Sequence, residues 1–187
     1  SRTALREAFK TLEAENIGEV KNGKGIYVGS GGQQSYSIQS ILGFTQEKEK
    51  LLEALEARRA MEKELLVMVV HSATDQEMEE LGNITENLMK KVRANLQDTK
   101  EDKAFHEMIY RMCHNQIFHA MLDLLDKYTE KLWEFPLDMK DPFKESMPYH
   151  EELYKALRDR DLKRAQKINN KLLDCVHEDI MKQLKKV

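Results

Sequence analysis

Asp102-Lys103-Ala104-Phe105-His106 combines a carboxylate, an aromatic ring and an imidazole within a single helical turn. Residues four apart on an α-helix lie roughly 40° apart in projection, so Asp102 and His106 share one face. Side chains of these two types on one face are suited to binding a single cation together. The alternative is an exposed charge pair on a solvated helix.

The residues around this stretch favour the cation site. Phe105, Met108 and Ile109 predict that the same helical face lies in the core. Burying a carboxylate and an imidazole there is costly without a partner, and a metal ion is an effective one. A metal needs further ligands, and His150, at the start of another predicted helix, is the candidate third. Three ligands leave positions open for water or an effector carboxylate, and this set suits Zn, with Ni, Mn or Fe as alternatives.

The composition indicates an ordinary helical domain. The chain has 187 residues, of which 41% are hydrophobic and 34% charged, with eight glycines and three prolines. A net charge of −3 argues against a generally basic surface for nucleic acid. Two cysteines form neither a disulfide framework nor a zinc-finger pattern, which favours a reducing cytoplasm. We find no signal peptide and no apolar run long enough to span a membrane, so we expect no membrane partner.

The region from residue 37 to the end has helical periodicity throughout and no strand pattern. Thr74 and Glu77 form a capping box, Ser146 is a candidate cap with Pro148 in the first turn, and Asp161 is another candidate cap. The sequence therefore predicts an all-helical antiparallel bundle with helices near 37–43, 46–71, 74–96, 98–113, from about 115, from 146, and 161–184.

The first 29 residues have a different pattern. Apolar positions 5, 8, 9 and 12 predict an amphipathic helix, and residues 17–28 read as two short strands joined at Asn22-Gly23. A helix followed by a basic-tipped hairpin is the second half of a winged helix. We therefore predict a mainly α protein with a partial winged helix over 1–29, a linker over 30–36 and a helical effector-binding and dimerisation domain over 37–187. The chain begins without Met inside a helix, so we expect that its natural N-terminus is missing.

These patterns together resemble a known family. The segments Ser1–Ala8, Leu12–Glu15 and Asn22–Val28 are similar to the recognition helix and wing of GntR-superfamily repressors. Glu56–Glu62, Asp102-x-x-Phe105-His106, Asn115 and Ser146-x-x-x-His150 resemble the FCD effector-binding domain of the FadR-like branch. The resemblance covers essentially the whole chain, although helices expected before the recognition helix are absent.

The resemblance implies a homodimeric bacterial regulator, and a repressor rather than an enzyme. Its helical domain would sense a small carboxylate through a divalent metal and change the spacing of two operator-reading heads. The residues that would reach operator DNA are Ser1, Arg2, Thr3 and Arg6 on the helix, and Asn22, Gly23 and Lys24 at the wing. Arginine recognises guanine edges, and short hydroxyls and backbone amides suit phosphates.

The family pattern implies a fourth ligand, a histidine about 22 residues after His150. That position is Leu172, and His177 lies five residues later, about 140° around the helix. We therefore predict Asp102, His106 and His150 as ligands and treat His177 as doubtful. Asn169, one turn before Leu172, is a candidate contact to the metal or effector.

Two further residues are candidates for the effector pocket. Arg58 is able to bind a carboxylate as a planar fork, or to form a helix salt bridge with Glu62. Asn115 lines the pocket or caps its helix.

Two other functions of the protein stay open. One is a metalloenzyme, since two histidines and one carboxylate also hold iron in oxygenases, and the other is a metal-free ligand-binding or dimerisation module.

Overall fold

The computed structural model describes residues 18–21, 25–28, 48–96, 99–129 and 144–184. The chain divides into two units, Ser1–Phe44 and Thr45–Val187. The described part of the first unit is an antiparallel pair of strands, β1 (Gly18–Lys21) and β2 (Gly25–Val28), in which Gly18 pairs with Val28. The predicted recognition helix, the tip at residues 22–24, the linker and the helix near 37–43 lie outside the described residues, so the winged helix stays a prediction.

The described part of the second unit is entirely helical, as predicted. Its helices are α1 (Lys48–Ser72), α2 (Asp75–Arg93), α3 (Thr99–Arg111), α4 (Gln116–Thr129), α5 (Pro148–Arg158) and α6 (Leu162–Leu184). The ends of α2 and α3 fall two or three residues short of the predicted limits, which is a normal error for helix boundaries.

The helix starts follow local hydrogen bonding. Thr74 and Glu77 form the predicted capping box at the start of α2. Asp161 accepts a hydrogen bond from the backbone N–H of Arg164, 3.0 Å away, and so caps α6. The predicted cap at Ser146 is wrong, because the cap position of α5 is Met147 and no side chain makes a capping hydrogen bond there. Pro148 does lie in the first turn of α5.

The core is one apolar cluster to which all six helices contribute. Consecutive helices pack in the pairs α2 with α3, α3 with α4 and α5 with α6, while α1 packs on α4 and α6, and α2 packs on α5. The largest fully buried apolar side chains are Tyr110, Phe105, Leu55, Leu65, Leu66, Leu81, Leu88, Met112, Leu122, Leu153, Leu157 and Leu173. Each such side chain contributes roughly 1.5–3 kcal/mol on burial, so this cluster fixes where α3 and α5 lie.

A glycine brings α5 close to α2. A Cβ atom placed on Gly82 of α2 would lie 2.6 Å from the Tyr154 hydroxyl oxygen and 3.0 Å from its Cζ atom. Tyr154 is one turn beyond His150 on α5, so the small residue at position 82 sets the depth at which α5, and with it His150, packs on the bundle.

Candidate metal centre

Helix α3 supplies two polar side chains to the core. Asp102 and His106 lie on its inner face, and their exposed fractions are 0% and 3%. The face is otherwise apolar, with Phe105, Met108 and Ile109 all buried. The alternative of an exposed charge pair is therefore excluded, and both polar groups need a partner inside the protein.

Helix α5 supplies the third side chain from its first turn. His150 is 1% exposed, and its ring packs edge-on against Phe105 with centroids 4.9 Å apart. Phe105 also contacts the His106 ring edge-on, at 5.6 Å. One aromatic side chain thus restrains both imidazoles, which limits their rotation without using a polar group.

The three side chains converge on one point. Nε2 of His150 lies 2.7 Å from Oδ1 of Asp102 and 3.3 Å from Nε2 of His106, and the His106 nitrogen lies 4.0 Å from the same Asp102 oxygen. A triangle with sides of 2.7, 3.3 and 4.0 Å has a circumradius of about 2.0 Å. Zn–N and Zn–O bonds in proteins measure about 2.0–2.2 Å, so the spacing of these three atoms fits a metal ion between them.

The hydrogen bonding around His150 favours a cation at that point. Nδ1 of His150 lies 3.1 Å from the Met147 carbonyl oxygen, which only accepts, so the Nδ1–H donates to it. In neutral His150, Nε2 then presents a lone pair toward the Asp102 carboxylate. Neither Asp102 oxygen has a hydrogen-bond partner among the described residues, and the 2.7 Å contact with Nε2 is an ion pair only if His150 is protonated. Two lone pairs this close need a proton or a metal between them.

The protonation states that the surroundings favour for Asp102 and His106 agree with metal binding. Burial opposes ionisation of Asp102, yet the neighbouring His150 and His106 rings and Arg58 hold the pKa of this carboxyl below its usual value. Burial and the charge of Arg58 hold the pKa of His106 well below the usual histidine value. An ionised carboxylate and a neutral imidazole are the forms that bind a metal.

A second buried polar group lies one turn further along α3. Glu62 of α1 is 2% exposed and accepts hydrogen bonds from Arg58 Nε at 2.7 Å, Tyr110 Oη at 2.8 Å and Asn169 Nδ2 at 2.9 Å. The second carboxylate is Asp126, whose Oδ1 lies 3.4 Å from Arg58 Nη1 and 3.3 Å from Tyr110 Oη. We call these five residues the Glu62 cluster. The Tyr110 and His106 rings are 6.3 Å apart, so the cluster adjoins the metal centre.

The ionisation of the Glu62 cluster follows from its burial and pairing. Burial opposes the charge of Glu62, but Arg58 and the hydrogen bonds from Asn169 and Tyr110 hold the pKa of this carboxyl below its usual value. Burial, opposed in part by Arg58, raises the pKa of Asp126. Glu62 is therefore a carboxylate at neutral pH, and it neutralises Arg58 inside the protein.

Of the other predicted site residues that the structure describes, two are buried beside the metal centre and two are not part of it. Arg58 makes the salt bridge with Glu62 that the sequence left open, and it is buried rather than on the helix surface. Asn169 is buried and directed at Glu62. Asn115 is exposed and accepts from the Phe118 backbone N–H at 3.0 Å, which is the capping alternative. His177, the doubtful ligand, is not among the described groups that converge on Asp102.

The predicted DNA contacts cannot be placed. They are Ser1, Arg2, Thr3, Arg6, Asn22, Gly23 and Lys24, and all seven lie outside the described residues.

Sequence reasoning missed Tyr110 and Asp126 and considered Glu62 only as a salt-bridge partner of Arg58, although signals for a buried role of Glu62 and Tyr110 were present. Glu62 follows Arg58 by four residues on the inner stripe of α1, and Tyr110 continues the four-residue spacing of Asp102 and His106. A polar residue that falls on a core stripe is informative because it must find a buried partner. No comparable signal marks Asp126.

Residues 53–174 match the FCD domain family. The chain belongs to the FCD-domain family of GntR transcriptional regulators. FCD domains commonly bind metal, and the family consists of regulators and not of enzymes, so the metalloenzyme alternative is set aside. None of the helices that the structure describes in this chain is long and apolar enough to cross a bilayer.

Individual relatives agree with this family. The HTH-type transcriptional regulator YcbG of Bacillus subtilis is 26% identical, over 97% of this chain and 75% of its own length. The Uxu operon regulator of Haemophilus influenzae is 30% identical, over 72% of this chain and 47% of its own length, so the chain spans about half of that protein. The galactonate operon transcriptional repressor of Escherichia coli is 24% identical, over 86% of this chain and 72% of its own.

Solved structures show the same fold. McbR/YncC of Escherichia coli superposes with a TM-score of 0.64 at 19% identity, covering 98% of this chain and 82% of that one. GntR of Streptococcus agalactiae superposes with a TM-score of 0.60 at 22% identity, covering 97% and 82%. The fold of this chain is therefore shared with proteins of very different sequence.

Proposed function

We propose that this FCD protein is a cytoplasmic, DNA-binding repressor that senses a small carboxylate through a divalent metal held by Asp102, His106 and His150. The observation that carries the proposal is the triangle of donor atoms, whose common centre lies about 2.0 Å from each of them. Zinc is the metal we expect, and Ni, Mn and Fe suit the same ligands. When bound, the metal supplies an open coordination position for an acid.

Neighbouring residues fix the tautomer and the orientation of the metal-binding side chains before a metal binds. The Met147 carbonyl fixes the tautomer of His150, and Phe105 holds both imidazole rings. Burial excludes water, which strengthens every electrostatic contact at the centre. A metal-free dimerisation module, the second candidate, gives no reason to bury an Asp102 carboxylate whose oxygens receive no hydrogen bond from a described residue.

Regulation requires a homodimer, and one face of α4 supports that assembly. Ile117 and Met121 lie one turn apart on α4 and are 73% and 52% exposed. Large apolar side chains exposed together are typical of a protein interface. The effector then alters operator affinity only by the difference between its affinities for the two arrangements of the dimer.

The metal-dependent part is tested by adding zinc to chelator-treated protein and following the unfolding temperature. Zinc at about a hundredfold excess over its Kd adds about 2.7 kcal/mol, which raises Tm by roughly 5–10 °C for a unit of this size. Asp102→Ala should show no rise, whereas the control His177→Ala should respond like the wild type. An unchanged Tm in the wild type contradicts the proposal.

A further inference from the structure

A groove with a volume of about 400 Å³ lies between α2 and α3. Ile84 of α2 and Ala104 of α3 line it, and both side chains are half-buried. Ala104 comes two residues before His106, which places it about 160° away around the helix. The groove and the buried metal centre therefore lie on different sides of α3, and the groove is separate from the site proposed for the effector.

Lysine side chains from both helices also line this groove. Lys90 and Lys91 belong to the last turn of α2, and Lys100 belongs to the first turn of α3. Lys90 and Lys100 are exposed, whereas the two apolar side chains are half-buried, so these two charges lie nearer to solvent than the apolar surface does. Asn87 adds an exposed amide. The groove thus combines an apolar interior with cationic groups at its mouth.

The charges of the groove do not balance. Its lining carries three lysines and one carboxylate, although the chain as a whole has a net charge of −3. The carboxylate is Glu101, whose Oε2 lies 2.7 Å from Lys91 Nζ. Lys90 lies 2.8 Å from Glu86 on its own helix, and both side chains are more than half exposed, so this pair contributes little and can exchange partners. Lys100 forms no ion pair with a residue that the structure describes.

We propose that this groove is a second ligand site, which binds an organic anion with an apolar body and one negatively charged head group. The body covers Ile84 and Ala104 and so removes apolar surface from water. The head group contacts the ammonium groups of Lys90 and Lys100, and the Asn87 amide has two further N–H donors. A neutral apolar molecule loses the charge contacts, and a small anion leaves the apolar surface uncovered. Binding at this site requires no metal.

The test follows the amide chemical shifts of the whole, isotope-labelled chain by NMR during titration with three probes. Benzenesulfonate has an apolar body and an anionic head group, methanesulfonate has the head group with almost no body, and benzyl alcohol has the body without the charge. A sulfonate is a weak base and therefore a poor metal ligand, so it avoids the metal centre. We expect benzenesulfonate to bind at least about tenfold more tightly than either other probe.

The positions of the shifted amides show where the probe binds. The largest changes with benzenesulfonate should fall on Asn87, Lys91 and Ala104, in the middle of the groove. Shifts centred instead on Ile117 and Met121, the exposed apolar residues of α4, would overturn the inference. Methanesulfonate or benzyl alcohol binding as tightly as benzenesulfonate would also overturn it, because the groove would then recognise only charge or only apolar surface.

A double substitution tests the two exposed lysines. Lys90→Gln with Lys100→Gln should weaken benzenesulfonate binding about tenfold, the combined effect expected of two exposed ion pairs. Lys163→Gln with Lys167→Gln is the matched control, because these exposed lysines lie on α6 and the net charge changes equally. The control should bind like the wild type. Equal weakening in both double variants, or none in the first, would overturn the inference. The wild-type comparison of the probes needs no variant, so misfolding would not remove the test.

Discussion

Replacing Arg58 with leucine should destabilise the protein strongly and in a pH-dependent way. Arg58 is 3% exposed and lies 2.7 Å from Glu62, so its loss leaves a buried carboxylate without a counter-ion. Breaking a buried pair in this way costs about 3–5 kcal/mol. Arg111→Leu is the matched control, since Arg111 pairs with Glu80 at a similar 2.8 Å but with both side chains about half exposed. That loss should be below about 1 kcal/mol.

The pH dependence identifies the cause. In the wild type the folded-state pKa of Glu62 is lowered, so its stabilising contribution is present above its unfolded pKa and is lost as the pH falls through the folded pKa. Without Arg58, burial raises the folded pKa above the unfolded one. The variant then loses stability as the pH rises through the unfolded value of about 4.3. The difference in unfolding free energy between variant and wild type should therefore grow with pH.

Urea denaturation in chelating buffer at about pH 5 and about pH 8 measures this difference. We expect Arg58→Leu to lose more stability at the higher pH, by about 1.4 kcal/mol for each unit by which the folded-state pKa of Glu62 in the variant lies above the lower pH of the comparison. A loss that is equal at both pH values, or no larger than that of Arg111→Leu, would refute the argument that Glu62 is ionised and neutralised by Arg58.

Three further substitutions test the fold and the assembly. Gly82→Ala should cost about 1–3 kcal/mol in thermal unfolding through its clash with Tyr154, and Tyr154→Phe should recover part of this because the hydroxyl is the nearest atom; full stability of Gly82→Ala alone would be inconsistent with the packing. Thr74→Ala should cost about 1 kcal/mol through loss of the capping box, and an unchanged denaturation midpoint would count against it. Ile117→Glu with Met121→Glu should yield a monomer in analytical ultracentrifugation at nearly unchanged stability, and a persistent dimer would exclude the α4 face.

The helices could be predicted from the sequence because their signals are local. The capping box at Thr74, the cap at Asp161 and the proline at position 148 mark helix starts that the structure confirms. Ser146 misled the prediction because any serine before an apolar stretch looks like a cap, whereas the preceding turn places Met147 at that position. Which residue reaches the cap position depends on the incoming chain, and sequence alone does not fix it.

The candidate site was predictable only in part. Asp102 and His106 share a helix, so their proximity follows from helical spacing. Their meeting with His150 depends on how α3 and α5 pack, and it was predicted from family resemblance and from the cost of burying a lone carboxylate. The salt bridge of Arg58 with Glu62 was one of the two predicted alternatives. The contacts of Arg58 with Asp126 and of Glu62 with Asn169 were not predictable, because Asp126 and Asn169 come from α4 and α6 and approach only through tertiary packing.

The most direct measurement is the metal content of protein purified without chelator, determined by elemental analysis for the wild type, Asp102→Asn and His177→Ala. If the three buried side chains hold a metal, the wild type and His177→Ala should each contain about one divalent ion per chain. Asp102→Asn should contain almost none, because the amide removes the one anionic ligand. Wild-type protein that takes up no metal even after incubation with zinc, or Asp102→Asn with a full complement, would contradict the account.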